Sequence, residues 1–190
     1  MRKESIKKHL IEYSIYGKRK STINHAFASA LSLADIYNEE KLDKALSILG
    51  QNPNQDLMCV YCNEPAKTWD HIRGVVKNGK YSGCGHQLGN LIPCCKDCNS
   101  EKVSKDWKTF LILKRPSELT TPDLIFKIET YIKTNLPNFD DLSDDEIGIE
   151  MQEFENLKKQ IFELMIKADK QAEVIRRKLK AKNKYFTHSA

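Results

Sequence analysis

Cysteine is missing from most of this chain: residues 1–58 and 99–190 contain none, and all six lie between Cys59 and Cys98. Long apolar runs are missing too. None approaches the ~18 residues that a membrane-spanning helix needs, so no membrane partner is expected. The opening MRKESIKKHLIEYS carries basic residues with no apolar stretch behind them, unlike a secretory leader. The expected compartment is therefore the cytoplasm, where structural disulfides are rare. Extreme charge is absent as well. The net charge is +5 and the pI about 8.8, a mildly basic balance that by itself singles out no partner. With 190 residues the chain is long enough to bury its own core.

The distribution of charge is more informative than its sum. Residues 138–155 contain no Lys or Arg, whereas residues 176–184 contain Arg176, Arg177, Lys178, Lys180, Lys182 and Lys184 and no acid. A second basic knot is GKRK, Gly17 to Lys20. Sorting of this kind can face a polyanion without a high total charge, and it equally suits solvated helix ends.

Three regions separate by pattern, with expected boundaries at 1–52, 53–114 and 115–190. The first reads as helical. Ile6, Leu10, Ile11 and Tyr13 to Ile15 have helix-like spacing, HAFASALSLADIY is rich in Ala and Leu, and EEKLDKALSIL ends at Gly50, a good C-cap. QNPNQD reads as a turn. In the middle region, LMCVYC and NLIPCC are too short for helices and suggest strands or knuckles. KNGKYSGCGHQLGN reads as a long loop, and SEKVSKDWKTFLIL as one helix leading away. In the last region Thr121 and Pro122 open a helix. Ser143 and Glu146 form a capping box at the start of a long one. Its apolar positions, Ile147, Met151, Phe154, Ile161, Met165, Ala168, Ala172, Ile175 and Leu179, make an a/d seam. The seam suits a dimer coiled coil or packing on its own domain.

The cysteines form two CxxC pairs, Cys59-Val60-Tyr61-Cys62 and Cys95-Lys96-Asp97-Cys98. One CxxC knuckle aims two thiolates at one point; two complete the tetrahedral all-sulfur site that zinc prefers. Cys84 and Cys94 are left over and read as buried thiols. A redox CxxC would open a helix in a βαβ unit, and no such unit is visible. Closing the loop between the knuckles gathers Asp70 and His71 of TWDHI, Asn90 of GHQLGNL, and Asn99 directly after the last cysteine. In a flat strand Asp70 and His71 point to opposite faces.

CxxC, then Asp-His, then Asn, then CxxC followed at once by Asn resembles the HNH (ββα-metal) endonucleases. The layout is closest to the zinc-bearing branch typified by phage endonuclease VII and several HNH restriction enzymes. The resemblance covers residues 57–108, and the helical flanks add nothing to it. It implies an α+β, mainly helical fold: a small ββα-metal core with a four-cysteine zinc site, between an N-terminal helical region and a long C-terminal helix. It implies that Cys59, Cys62, Cys95 and Cys98 hold structural Zn²⁺, and that Asp70 and Asn99 hold catalytic Mg²⁺ or Mn²⁺. His71 would be the general base, and Asn90 would hold the His71 segment through its backbone. His86 is a rival base or phosphate contact. Val103 stands where the family more often has Gly.

The function expected from the resemblance is hydrolysis of double-stranded DNA by a Type II-like restriction or phage-defence enzyme. A structure-specific or homing nuclease, or an inactive zinc-stabilised DNA-binding module, are the alternatives. Candidate DNA contacts are Lys18, Arg19, Lys20, Asn24 and His25 in the N-terminal region, with Arg73 and Lys102 near the motif. Lys96 is a further candidate phosphate contact. One active site cuts one strand, so duplex cleavage favours a homodimer.

Overall fold

A computed structural model describes residues 2–115, 121–136 and 144–187, with side chains of the last helix described over 147–182. The chain is mainly helical, with two small two-stranded sheets. It divides into two compact units: residues 27–142, and residues 1–26 together with 143–190. Helix α1 (Ile15–Leu31) runs through the boundary.

The unit of residues 27–142 carries the cysteines. Helix α2 (Glu39–Ile48) starts where Asn38 is extended and its side-chain oxygen accepts from Lys41 N–H at 2.8 Å. It stops where Gly50 takes φ +74°, the left-handed conformation that glycine adopts freely. Strand β1 (Thr68–His71) pairs antiparallel with β4 (Leu91–Cys94), with Thr68 opposite Cys94 and His71 opposite Leu91. The connection between them holds a second hairpin, β2 (Val76–Lys77) with β3 (Lys80–Tyr81). Asn78 and Gly79 at its tip both have positive φ, as a primed two-residue turn requires. Helix α3 (Lys96–Lys102) follows β4 directly and packs on β1. Helices α4 (Trp107–Lys114) and α5 (Thr121–Asn135) complete the unit.

One core serves the four helices α2 to α5, β4 and the first cysteine knuckle. Tyr61, Ile92, Phe110, Leu111 and Ile128 are buried together with Ala45, Leu49 and Tyr131. Burial of each large apolar side chain is worth about 1.5–3 kcal/mol. Tyr61 and Phe110 meet edge to face with ring centroids 5.0 Å apart. The Tyr131 hydroxyl donates to the Leu91 carbonyl in β4, and Arg115 Nε donates to the Tyr61 carbonyl. Helices α2 and α5 therefore belong with the cysteine segment, and the sequential division at 52 and 114 is replaced by the division into two units. Apolar faces from both sides of the knuckles close over one core, which local pattern does not reveal.

The expected single helix over SEKVSKDWKTFLIL is two. Helix α3 ends at Val103, whose φ of 47° and ψ of −110° lie outside helical space. Asp106 then caps α4, accepting from Thr109 N–H at 2.9 Å. The short acid side chain offers the backbone an alternative to a continuous helix, and it prevails.

In the unit of residues 1–26 and 143–190, a 3-10 helix (Lys3–Lys8) precedes the start of α1. The helix expected around Ile6, Leu10, Ile11 and Tyr13 is absent; all four are exposed. α1 instead begins at Ile15 and runs unbroken through GKRK into HAFASAL. Its N-terminus is capped from helix α6 (Asp144–Thr187). Asp169 Oδ1 accepts from Ile15 N–H at 2.7 Å, and Oδ2 accepts from Tyr16 N–H at 3.0 Å and Ser14 Oγ at 2.8 Å. The Ile15 N–H above all holds the Asp169 carboxyl below its ordinary value. Glu12 pairs with Lys180 and Arg176, and Tyr16 packs edge-on against Phe162.

These contacts settle where the α6 seam goes. Met151, Phe154, Ile161 and Met165 are at least half-buried, as is Lys158 on the same stripe. Beyond Met165 the covered positions become Asp169, Ala172 and Arg176, whereas Ala168, Ile175 and Leu179 are exposed. A straight helix drifts ~20° per heptad from a 3.5-residue repeat, so the covered stripe rotates off the expected one. The Ser143–Glu146 capping box lies outside the described residues. Among the described residues no helix is long and apolar enough to cross a membrane.

Val103 is 73% exposed and packs little, so its backbone strain is not offset by burial. Val103→Gly is expected to stabilise the protein by roughly 1–2 kcal/mol, since the conformation is sparsely populated for a β-branched residue. A rise in urea midpoint checks this.

Candidate functional site

Two backbone turns place the four thiols. In the first knuckle Cys59 N–H donates to the Glu64 carbonyl at 2.7 Å and Asn63 N–H to the Cys59 carbonyl at 2.8 Å. Asn63 takes φ 68°, a conformation that asparagine tolerates better than most residues. In the second knuckle Cys95 is the N-cap of α3, with Cys98 N–H donating to its sulfur. Val60 N–H bonds to the Pro93 carbonyl and so ties the first knuckle to β4. The outcome is four sulfurs, Cys59, Cys62, Cys95 and Cys98, all within 4.8 Å of one another. These four are positioned to hold one metal ion, and four sulfurs form a donor set consistent with zinc.

Without a cation such a cluster resists ionisation. Burial pushes the Cys62 and Cys98 thiols above their ordinary values. Cys59 goes the other way, held down to about 4, chiefly by its contact with the Cys94 thiol 4.0 Å away. Four thiolates packed this closely need a cation to exist together. Cys94 and Cys84 are both buried, as expected of leftover thiols.

Next to the sulfurs, β1 presents Asp70 and His71 on opposite sides. Asp70 faces inward and is 5% exposed. Its Oδ2 accepts from the Tyr61 hydroxyl at 2.9 Å and lies 3.0 Å from Lys102 Nζ. Burial, then Asp70, pushes the Tyr61 hydroxyl well above its ordinary value, so it remains a donor. Lys102 Nζ also donates to the His71 carbonyl at 2.7 Å. Lys102 is only 1% exposed, so its expected role as a DNA contact is corrected. It is the buried countercharge of Asp70 and a tie on the β1 backbone. Asn99, in α3, donates from Nδ2 to Thr68 Oγ1 at 3.3 Å.

His71 is half-buried. Burial, then the neighbouring imidazole of His86, holds it below its ordinary value. His71 Nε2 lies 3.2 Å from His86 Nδ1. Asn90 is fully buried. Its Oδ1 accepts from Arg73 N–H at 2.8 Å, and its Nδ2 donates to the carbonyls of Arg73 and Gly85. This one carboxamide ties the segment just after His71 to the residue just before His86.

Sequence reading did not find three parts of this arrangement. Tyr61 lies inside a CxxC spacer, a place usually read for turn geometry alone. Lys102 carries a charge, and charges are ordinarily assigned to the surface. The His86 pairing depends on a contact 15 residues away that no local pattern encodes.

The other candidate DNA contacts sit as follows. Lys18, Arg19, Lys20 and His25 are exposed on α1 and Asn24 is half-buried. Consecutive helical residues are ~100° apart, so the three basic side chains do not share one face. Lys96 is exposed in the first turn of α3. Arg73 is exposed and lines an open cleft of about 620 Å³ with Lys77 and Lys105.

No family model, curated protein or solved structure matches this chain.

Purified protein should carry one metal ion per chain, lost in Cys98→Ser and kept in Cys94→Ala, as read by elemental analysis. Lys102→Met leaves the Asp70 carboxylate buried without its partner and should cost about 3–5 kcal/mol. Much of that loss should be recovered in the Lys102→Met/Asp70→Asn pair, measured by urea unfolding.

Proposed function

We propose that this protein is a metal-dependent endonuclease of the HNH type that hydrolyses phosphodiester bonds in double-stranded DNA. The observation that carries the reading is a juxtaposition. A carboxylate and an imidazole occupy successive positions of β1 on opposite sides of the strand, a carboxamide stands on the α3 helix packed against it, and four thiols positioned for a metal lie beside them.

Zinc is the ion we assign to the four sulfurs, in a structural role. Whether the remaining residues suit a second, hard cation can be judged from their free oxygens. Among the described residues, Asp70 Oδ1 and Asn99 Oδ1 accept no hydrogen bond. A carboxylate oxygen and a carboxamide oxygen are the hard donors that magnesium takes from a protein, although Asp70 here is buried and already paired with Lys102. Asp70 and Asn99 would hold it, and the ion would supply Lewis-acid stabilisation of charge on the scissile phosphate. Lys102, already on Asp70 Oδ2, fixes the orientation of that carboxylate.

His71 is the general base in this reading. It is neutral at cellular pH and half-exposed, and it takes the proton of the attacking water. Lys102 holds the carbonyl of His71 itself and Asn90 holds the backbone of Arg73 just beyond it. Arg73, Lys77 and Lys105 give the neighbouring cleft the charge that a phosphate backbone requires. Within this class we favour a sequence-specific restriction or phage-defence enzyme acting as a dimer. The exposed α1 residues Lys18, Arg19, Lys20 and His25 offer contacts outside the catalytic unit.

A second reading draws on the Asp70–Lys102 ion pair. A carboxylate already neutralised by a buried ammonium also suits a zinc-braced DNA-binding module without catalysis. Zinc-loaded protein incubated with plasmid DNA and Mg²⁺ separates the two. The nuclease reading expects nicked and linear products with 5′-phosphate ends. It also expects His71→Ala to lose about 10²–10⁴-fold in rate with zinc content unchanged. DNA binding without any cleavage would support the module instead.

A further inference from the structure

His86 stands outside every role assigned above, yet the fold fixes it as firmly as any residue in the site. Its N–H donates to the Leu33 carbonyl at 2.8 Å, and its carbonyl accepts from Asp35 N–H at 3.1 Å. This is a β-bridge between His86 and the extended segment at Ala34. Asp35 adds a side-chain bond to Leu88 N–H at 2.8 Å. The preceding residue must be glycine: a Cβ at Gly85 would lie 2.3 Å from the Leu33 carbonyl oxygen and 2.8 Å from its nitrogen. Asn90 holds the Gly85 carbonyl from the other side, with the same amide group that holds Arg73. The backbone thus sets the separation of residues 71 and 86, and at that separation the exposed His86 side chain brings its Nδ1 to 3.2 Å from His71 Nε2.

A neutral imidazole has one N–H and one lone pair. When two meet nitrogen to nitrogen, one donates. If His86 Nδ1–H donated to His71 Nε2, the His71 proton would sit on Nδ1. Neither of its nitrogens could then accept a proton from water. If His71 Nε2–H donates to His86 Nδ1, the lone pair of His71 Nδ1 is left free and its direction is fixed. A base works only in the second arrangement. We infer that His86 is the positioning residue of the base: it accepts the Nε2 proton of His71, so that Nδ1 is the atom that deprotonates water. This rests on the nuclease reading for which nitrogen carries the proton and for its consequence; the 3.2 Å contact between the imidazoles stands apart from it. It follows the logic by which a base is oriented by a third group.

The test uses the full zinc-loaded chain and has two arms. In the first, ¹⁵N-histidine labelling reads the His71 tautomer directly in the wild-type protein. The proton is expected on Nε2; a proton on Nδ1 overturns the proposal, whether or not the protein cuts DNA. In the second, three variants are compared on plasmid DNA. His86→Ala should lose roughly 10–100-fold in kcat with KM little changed, as expected for loss of orientation without loss of binding. His86→Asn, whose amide reaches about where Nδ1 lies, should recover most of the rate. His86→Gln, which reaches further, should not. Wild-type kcat in His86→Ala, or equal rescue by Asn and Gln, also overturns it. If the wild-type protein cuts no DNA while His71 carries its proton on Nε2, the nuclease reading fails and the imidazole pairing stands.

Discussion

Four sulfurs held within 4.8 Å are the constraint from which the rest of this site follows. Thiols crowded in a buried cluster are driven toward their neutral forms, and only a cation lets them ionise together. The four sulfurs come from both ends of the segment from Cys59 to Cys98, so an ion held there would do more than brace a turn. It would fix β4 and α3 against the first knuckle. Every atom in the chemistry proposed here stands on β1, on α3 or in the connection closed by the two.

Around that staple the polar groups are arranged so that no buried charge stands alone. Asp70 sits inside the fold beside a phenol and an ammonium, and the same ammonium reaches the His71 carbonyl. A buried pair of this kind adds little net stability but is costly to break, which favours one geometry over others. Asn90 does comparable work without charge, since its three hydrogen bonds saturate one carboxamide on two separate segments. The separation of the two histidines along the chain's surface is thereby a property of the backbone.

How much of this was legible beforehand depends on the range of each signal. The four-cysteine cluster was, because CxxC spacing is local and two such pairs converge on one metal-sized site. So was α2, with its acidic first turn and Gly50 at the end. The break at Val103 was hidden because the helical composition of residues 100–113 outweighs one capping aspartate in any window average. Exposure of Ile6, Leu10 and Ile11 was hidden because apolar spacing predicts a face and not what covers it. Lys102 and His86 were the hardest, since each acquires its meaning from a partner 15 or more residues away in sequence. The α6 seam was partly legible: its positions from Met151 to Met165 are covered, Ile147 before them is exposed, and beyond them the covered stripe turns away as helical drift accumulates.

The connection from His71 to His86 has one further property. It is pinned at its base by Asn90 and carries at its tip a two-residue turn, Asn78–Gly79. Nothing that holds the sulfurs or the imidazoles passes through that tip. Residues could be added or removed there without disturbing the chemistry, so it is the natural point at which related chains would diverge in length. Selection could retune what lies against the cleft while leaving the reaction centre intact.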